Sequence, residues 1–273
     1  MADITRPVPW PRTFLGDLLH FSRRVPAVTF ERTFRLRSLR LIRDAMPDRP
    51  GWTALFVKGF ARLASEFRDF RTSHIEYPWP RLVEHGTQVA SVAVEKEIDG
   101  RPAVMFAKIR SPEARTLWNI DGKLRRAKEC RLEELAPFRA ARGLARLPRP
   151  VRRFLWWMAL EWSARWRSRK FGTFGVSSCG MLGAESLNLL SPLTANLTFG
   201  PVSRKGVVRV RIVFDHRVCD GGVVARALAR LEEIMEEEIT AELKEQAVIP
   251  MPAQSPVRRV RHGQLRFPMG ESD

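Results

Sequence analysis

Two stretches of the chain carry side chains whose types and spacing can do chemistry. The first spans 207–222, VVRVRIVFDHRVCDGG, where a strand pattern runs into Asp215, His216, Arg217, Cys219, Asp220 and a Gly-Gly pair. An imidazole titrating near pH 6.5 suits the removal of a proton from a thiol or hydroxyl at neutral pH. His216 is therefore the candidate general base, and Asp220, four residues on, can brace its loop or orient the ring. The second stretch spans 172–183, GTFGVSSCGMLG, a small-residue, hydroxyl-rich strand followed by a Gly-x-x-Gly turn. Its hydroxyls, Ser177 and Ser178, are candidate donors to a developing oxyanion. Each stretch alone also has a plainer role. His-x-x-x-Asp fits a solvated turn, and Ser177 or Ser178 fits a hydroxyl bonded to a neighbouring strand. Cys219 can be drawn as a nucleophile. His20, His74, His85 and His262 lack an acidic partner in a fixed turn.

These side chains need rigid elements behind them. Val208, Val210, Ile212 and Phe214 alternate with polar residues and predict a strand that ends at the motif. A helix is predicted from Val223 to Glu245, with Val224, Leu228, Leu231, Met235 and Ile239 on one face and a glutamate-rich, solvated remainder. Upstream, 25–35 reads as a strand, 39–46 as a short helix and the stretch after Thr53 as an amphipathic helix. Strands around 88–97 and 103–109 form a hairpin at the Asp-Gly of 98–101. Residues 111–170 are basic and helical, split by Pro148 and Pro150.

In that order, the two motifs resemble the catalytic domain of the dihydrolipoyl acyltransferases of 2-oxoacid dehydrogenase complexes, and more distantly chloramphenicol acetyltransferase. Asp215-His216-Arg217-Val218-Cys219-Asp220-Gly221 matches the DHRxxDG signature, and Gly172-Thr173-Phe174-Gly175-Val176-Ser177 with Gly180 and Gly183 matches the upstream strand and turn. The resemblance implies an α/β fold: a two-layer chloramphenicol acetyltransferase-like sandwich, a mixed sheet with helices packed on one face. It implies a coenzyme A-dependent acyltransferase and a homotrimer, with His216 from one subunit and Ser177 from its neighbour. It also implies that Asp220 holds the loop by an ion pair to an N-terminal arginine, Arg23 or Arg24. Ser178 stands where the family has Asn and Gly175 where it has Thr, and only 39 positions separate Ser177 from His216. No Asp-Lys-Ala hairpin or alanine–proline linker precedes the core, which predicts a free-standing relative without covalently bound lipoate.

The chain divides into an extended Pro-rich arm at 1–12, an acyltransferase-like domain at 13–247 containing the basic, Trp-rich segment 111–170, and a flexible basic tail at 248–273. Its 273 residues include 47 Lys+Arg against 30 Asp+Glu, a net charge of +17 that attracts polyanions such as the phosphates of coenzyme A. No nucleic-acid recognition motif is present, so no specific nucleic acid is expected. Three cysteines without paired spacing predict reduced thiols, no metal site and a cytoplasmic protein. No signal peptide or membrane span is read from the sequence.

The stretch 151–169, VRRFLWWMALEWSARWRSR, predicts a helix with two apolar faces. Val151, Leu155, Met158, Trp162 and Trp166 form one; Trp156, Trp157 and Leu160, beside Arg152 and Arg153, form the other. Three partners suit the second face: another subunit, a membrane surface met peripherally, or an acyl chain. A functional alternative follows, a non-catalytic trimeric scaffold that binds a membrane or a partner protein through this helix and the basic tail.

Overall fold

Alternation of apolar and polar residues builds the main sheet. The computed structural model describes residues 3, 5, 7–98, 100–131, 134–178, 186, 187 and 189–248. Its strands are β1 (Ala27–Arg35), β2 (Thr72–Ile75), β3 (Arg81–Glu84), β4 (Val89–Ile98), β5 (Arg101–Arg110), β6 (Phe174–Ser177), β7 (Ala195–Phe199) and β8 (Val207–Asp215). Among the described residues six of these form one mixed sheet in the order β1-β8-β7-β6-β4-β5, and β2 pairs with β3. β6 runs parallel to both β4 and β7, and the other neighbours are antiparallel. The expected hairpin is β4–β5, with Ile98 opposite Arg101 and Gly100 at φ 71°.

One face of the sheet carries the main core. Phe174, Val176, Leu197, Ile212 and Phe214 meet α3 (Trp52–Glu66) and α8 (Gly221–Glu233) through Phe56, Phe60, Leu228 and Leu231, all buried. Phe56 stacks on Phe199 with ring centroids 4.1 Å apart, and Phe60 lies 5.0 Å from Phe174. Each such side chain contributes about 1.5–3 kcal/mol of burial.

The helix after the motif starts at Gly221, two residues earlier than the periodicity suggests, because the Asp220 carbonyl already accepts from the N–H groups of Val223 and Val224. It continues through a π turn (Ile234–Ile239) into α9 (Thr240–Val248). Its glutamates are not simply solvated. Glu232 pairs with Arg32 at 2.8 Å, Glu238 and Glu242 pair with Arg62, and Glu236 accepts the Ser38 N–H at 2.7 Å. Glu236 thereby caps α2 (Arg37–Asp44).

The segment 111–170 folds as α4 (Leu117–Glu129), α5 (Ala136–Ala145), α6 (Arg149–Trp157), a π turn (Met158–Trp162) and α7 (Ala164–Lys170). On the sheet face away from the main core, α6 packs with α1 (Trp10–Ser22) over the β5 end. α1 begins at Trp10, inside the expected arm, with Pro11 tolerated in its first turn.

The Trp-rich helix departs from expectation. Trp156 and Leu160 are buried in a second cluster with Leu18 and Phe21 of α1, and Trp156 stacks on Phe21. Arg152 and Arg153 both pair with Asp17, itself 1% exposed. Trp156 and Leu160 of the second apolar face thus meet α1 of their own chain rather than a subunit or a membrane, while Val151, Phe154, Trp162 and Trp166 stay exposed. The sequence hid this because the neutralising carboxylate lies some 135 positions upstream, inside an apolar run. No helix among the described residues is long and apolar enough to cross a membrane.

Candidate active site

The His216 loop is fixed from both sides. Ala27 and Ala195 on the flanking strands register opposite Asp215 and Phe214, which sets where β8 ends. Asp215 is fully buried and donates its N–H to the Thr194 carbonyl at 2.8 Å. Its carboxylate accepts from Arg217 three times: from Nε at 3.0 Å, Nη2 at 2.7 Å and the backbone N–H at 3.0 Å. His216 stands between these two residues, donates its N–H to the Pro26 carbonyl at 3.0 Å, and keeps half its side chain exposed. Its Nδ1 lies 3.8 Å from Asp220 Oδ1, which leaves Nε2 as the nitrogen turned away from the aspartate.

Asp220 is itself 86% exposed, and neither Arg23 nor Arg24 pairs with it among the described residues. Arg24 instead lies over the Phe21 ring. The arginine–carboxylate pair of this loop is Arg217–Asp215, which motif reading missed. The signal was available in the Asp-x-Arg spacing, since two residues of a turn bring such side chains within reach.

Two further residues behind the loop were not foreseen. Arg167, 2% exposed, donates Nη1 to the carbonyls of His74 at 2.9 Å and Leu160 at 3.1 Å, and Nη2 to that of Pro192. Burial pushes its guanidinium down to about 10, against the pull of Glu161 and Asp215. It ties β2, the π turn and the approach to β7 together beneath Asp215. His74 is held below the usual histidine range by burial and then by the charge of Arg217. Cys219 is buried in the main core, and burial pushes its thiol up to about 12. At neutral pH it is a packing side chain, not a nucleophile.

Ser177 ends β6. Gly172, at φ 103°, sets the start of that strand, where a side chain would strike the Val89 carbonyl. The Ser178 hydroxyl donates to the Phe199 carbonyl at 3.0 Å, so the bond to a neighbouring strand belongs to Ser178. Ser177 lines a cavity of about 1030 Å³ between the sheet and the helices α1, α5 and α6. Gly180 and Gly183 of the expected turn, and His262, lie outside the described residues.

The sequence matches no protein-family model and no curated protein. Solved structures do share its shape. The TM-score is 0.63 against the dihydrolipoamide acetyltransferase of Azotobacter vinelandii, at 19% identity over 89% of this chain and 94% of that one. For a probable dihydrolipoamide acetyltransferase from Listeria monocytogenes it is 0.59, at 18% identity over 89% and 95%. For a truncated catalytic core of the 2-oxoacid dehydrogenase complex from Thermoplasma acidophilum it is 0.61, at 15% over 86% and 99%. The fold is that of the dihydrolipoamide acetyltransferase catalytic cores. This agrees with the expected α/β sandwich, except that α1, α5 and α6 also cover the far side of the sheet, where helices were expected on one face only. In the Azotobacter enzyme a serine, a histidine and an asparagine four positions after it have been investigated for their role in catalysis.

Within this fold, one chain does not bring Ser177 and His216 together. Ser177 registers with Thr198 and, through it, with Arg211, whereas His216 lies five residues beyond Arg211 on β8. Two strand spacings and five residues place them about 20 Å apart. Gly175 explains one local departure: a Cβ there would collide with Asn196 Oδ1, so the Asn196 amide occupies the space a threonine would need.

Proposed function

We propose that this protein is a coenzyme A-dependent acyltransferase, with its working site formed between copies of the chain in a homotrimer. The observation that carries this is the placement of both motif residues at strand ends of the acetyltransferase core fold, facing opposite ends of the sheet. A second copy then supplies whichever partner the first lacks. Asp220 takes the position of the asparagine studied in the Azotobacter enzyme and steadies His216 through Nδ1.

A free thiol is only a few per cent thiolate at pH 7, so a base accelerates its attack. His216 Nε2 accepts the proton of the acceptor's thiol or hydroxyl as its sulfur or oxygen attacks the thioester carbonyl. The displaced electron pair settles on the carbonyl oxygen, where the Ser177 hydroxyl donates a hydrogen bond worth about 3 kcal/mol. Collapse breaks the carbon–sulfur bond, and the departing coenzyme A thiolate takes the proton back from the imidazolium. Lys108, Arg169 and Lys170 at the cavity give the anionic donor a favourable surround.

The scaffold alternative loses Trp156 and Leu160 as a contact surface, since both are buried against α1, and keeps only the exposed Val151, Phe154, Trp162 and Trp166 of that helix. The test is thiol release from acetyl-, octanoyl- and palmitoyl-coenzyme A with cell extract as acceptor. His216→Ala is expected to lower the rate about 10²–10⁴-fold. Unchanged turnover in the folded variant would remove His216 from the mechanism.

A further inference from the structure

The cavity at Ser177 has a pattern that points to a substrate class. On its floor, sheet register sets Lys108, Ser91, Gly175 and Asn196 side by side in one row across β5, β4, β6 and β7. The next row holds Phe106 and Ala93 beside Ser177. The polar lining is the Lys108, Ser91 and Asn196 row with Ser177 beside it, together with Ser186, Ser191, Arg169 and Lys170. The walls are apolar: Leu18 and Leu19 of α1, Phe138 and Leu144 of α5, and Leu155 and Trp156 of α6. Of these helices α1 and α6 are tied together by the buried Asp17 pairs with Arg152 and Arg153. One chain thus builds the walls without a partner.

The volume, about 1030 Å³, stands at the top of the roughly 300–1,000 Å³ of small-molecule sites. An acetyl group would leave nearly all of it empty. A long unbranched acyl chain would fill the apolar part while its thioester carbonyl stayed beside Ser177.

We infer that this cavity, between the β4–β6 floor and helices α1, α5 and α6, binds a long acyl chain. On the acyltransferase reading above, the donor is then a fatty acyl thioester. Ala93 sits beside Ser177 on the floor, so a larger side chain there blocks the way from the serine into the cavity.

The experiment has two arms, both on the full chain. In the first, a fluorescent long-chain fatty acid is bound and displaced with palmitoyl-, octanoyl- and acetyl-coenzyme A. Displacement should strengthen up to about fourfold per added methylene, the equivalent of ~0.8 kcal/mol, until the cavity is full. Ala93→Phe should weaken the binding of palmitoyl and octanoyl chains alike. Leu19→Trp, from the opposite wall, gives the same readout should Ala93→Phe fail to fold. In the second arm, thiol release is measured with the same donors. No probe binding, or displacement by acetyl- as effective as by palmitoyl-coenzyme A, overturns the inference, and acetyl turnover then leaves the acyltransferase reading standing. Chain-length-dependent binding that is lost in the variants upholds the chain site. If thiol release is absent from every donor, the catalytic reading alone fails.

Discussion

Arg217 closes on Asp215 with Nε at 3.0 Å and Nη2 at 2.7 Å, and the single residue enclosed between them is His216. The pair joins a fully buried carboxylate to a guanidinium that stays partly exposed. Such a link fixes the peptide on both sides of the imidazole while leaving the ring free to meet a substrate. Arg217→Ala leaves Asp215 buried without its cation. The expected loss is about 3 kcal/mol, the low end of the range for broken buried pairs, because Arg217 is not fully desolvated. Arg217→Lys keeps the charge but not the planar fork. It should retain most of the stability while lowering acyl transfer and disturbing its pH profile. Urea unfolding and thiol-release rates on both variants check this. Equal activity for Lys and Arg at this position would deny the loop its positioning role.

Asp17 and Trp156 give a prediction about architecture. Trp156 is 1% exposed between Phe14, Phe21 and Phe171. Trp156→Ala should cost about 3–5 kcal/mol, as large-to-small changes of core aromatics do. Asp17→Asn leaves two guanidinium groups against a neutral amide and should destabilise by about 2–4 kcal/mol. Neither change should alter the mass of the assembly by light scattering, because the face belongs to the chain's own core. Dissociation of the assembly without loss of stability would return this face to a subunit interface.

His85 gives a pH dependence. Burial, and then the charge of Arg167, lower it to about 4 from 6.5, and Nε2 lies 2.9 Å from the Ser73 hydroxyl. Between these values the unfolded chain binds a proton that the folded chain does not, so stability falls as pH drops from 6.5 towards 4. The contribution is on the order of 3 kcal/mol across that window. Chemical denaturation of wild type and His85→Gln at pH 7 and pH 4.5 should show a smaller acid loss in the variant. Parallel losses would mean that His85 titrates normally.

Much of this molecule was legible in its residues. β8, the β4–β5 hairpin and the α8 stripe follow from period-2 and period-3.6 patterns that local side chains settle by themselves. The two motifs named their own elements, and the fold followed. What stayed hidden depends on long-range neutralisation. Asp17 answers Arg152 and Arg153, and Arg167 binds three carbonyls from three segments. Glu236 caps a helix nearly 200 positions upstream. Apart from the Leu160 carbonyl, seven residues before Arg167, these partners are distant in sequence, so the charges read as surface. The Asp215–Arg217 pair was near in sequence, yet Asp220 drew attention because it completes the His-x-x-x-Asp spacing.

The separation of Ser177 and His216 within one chain makes the shared site directly testable. His216→Ala and Ser177→Ala chains are purified separately, unfolded and refolded together, and assayed for thiol release from an acyl-coenzyme A donor. Each variant alone should be nearly inactive, and the mixture should recover a substantial fraction of wild-type activity, because mixed assemblies contain interfaces with both residues intact. A mixture no more active than the two variants assayed apart, with mixed assemblies verified by mass, would contradict a site shared between copies.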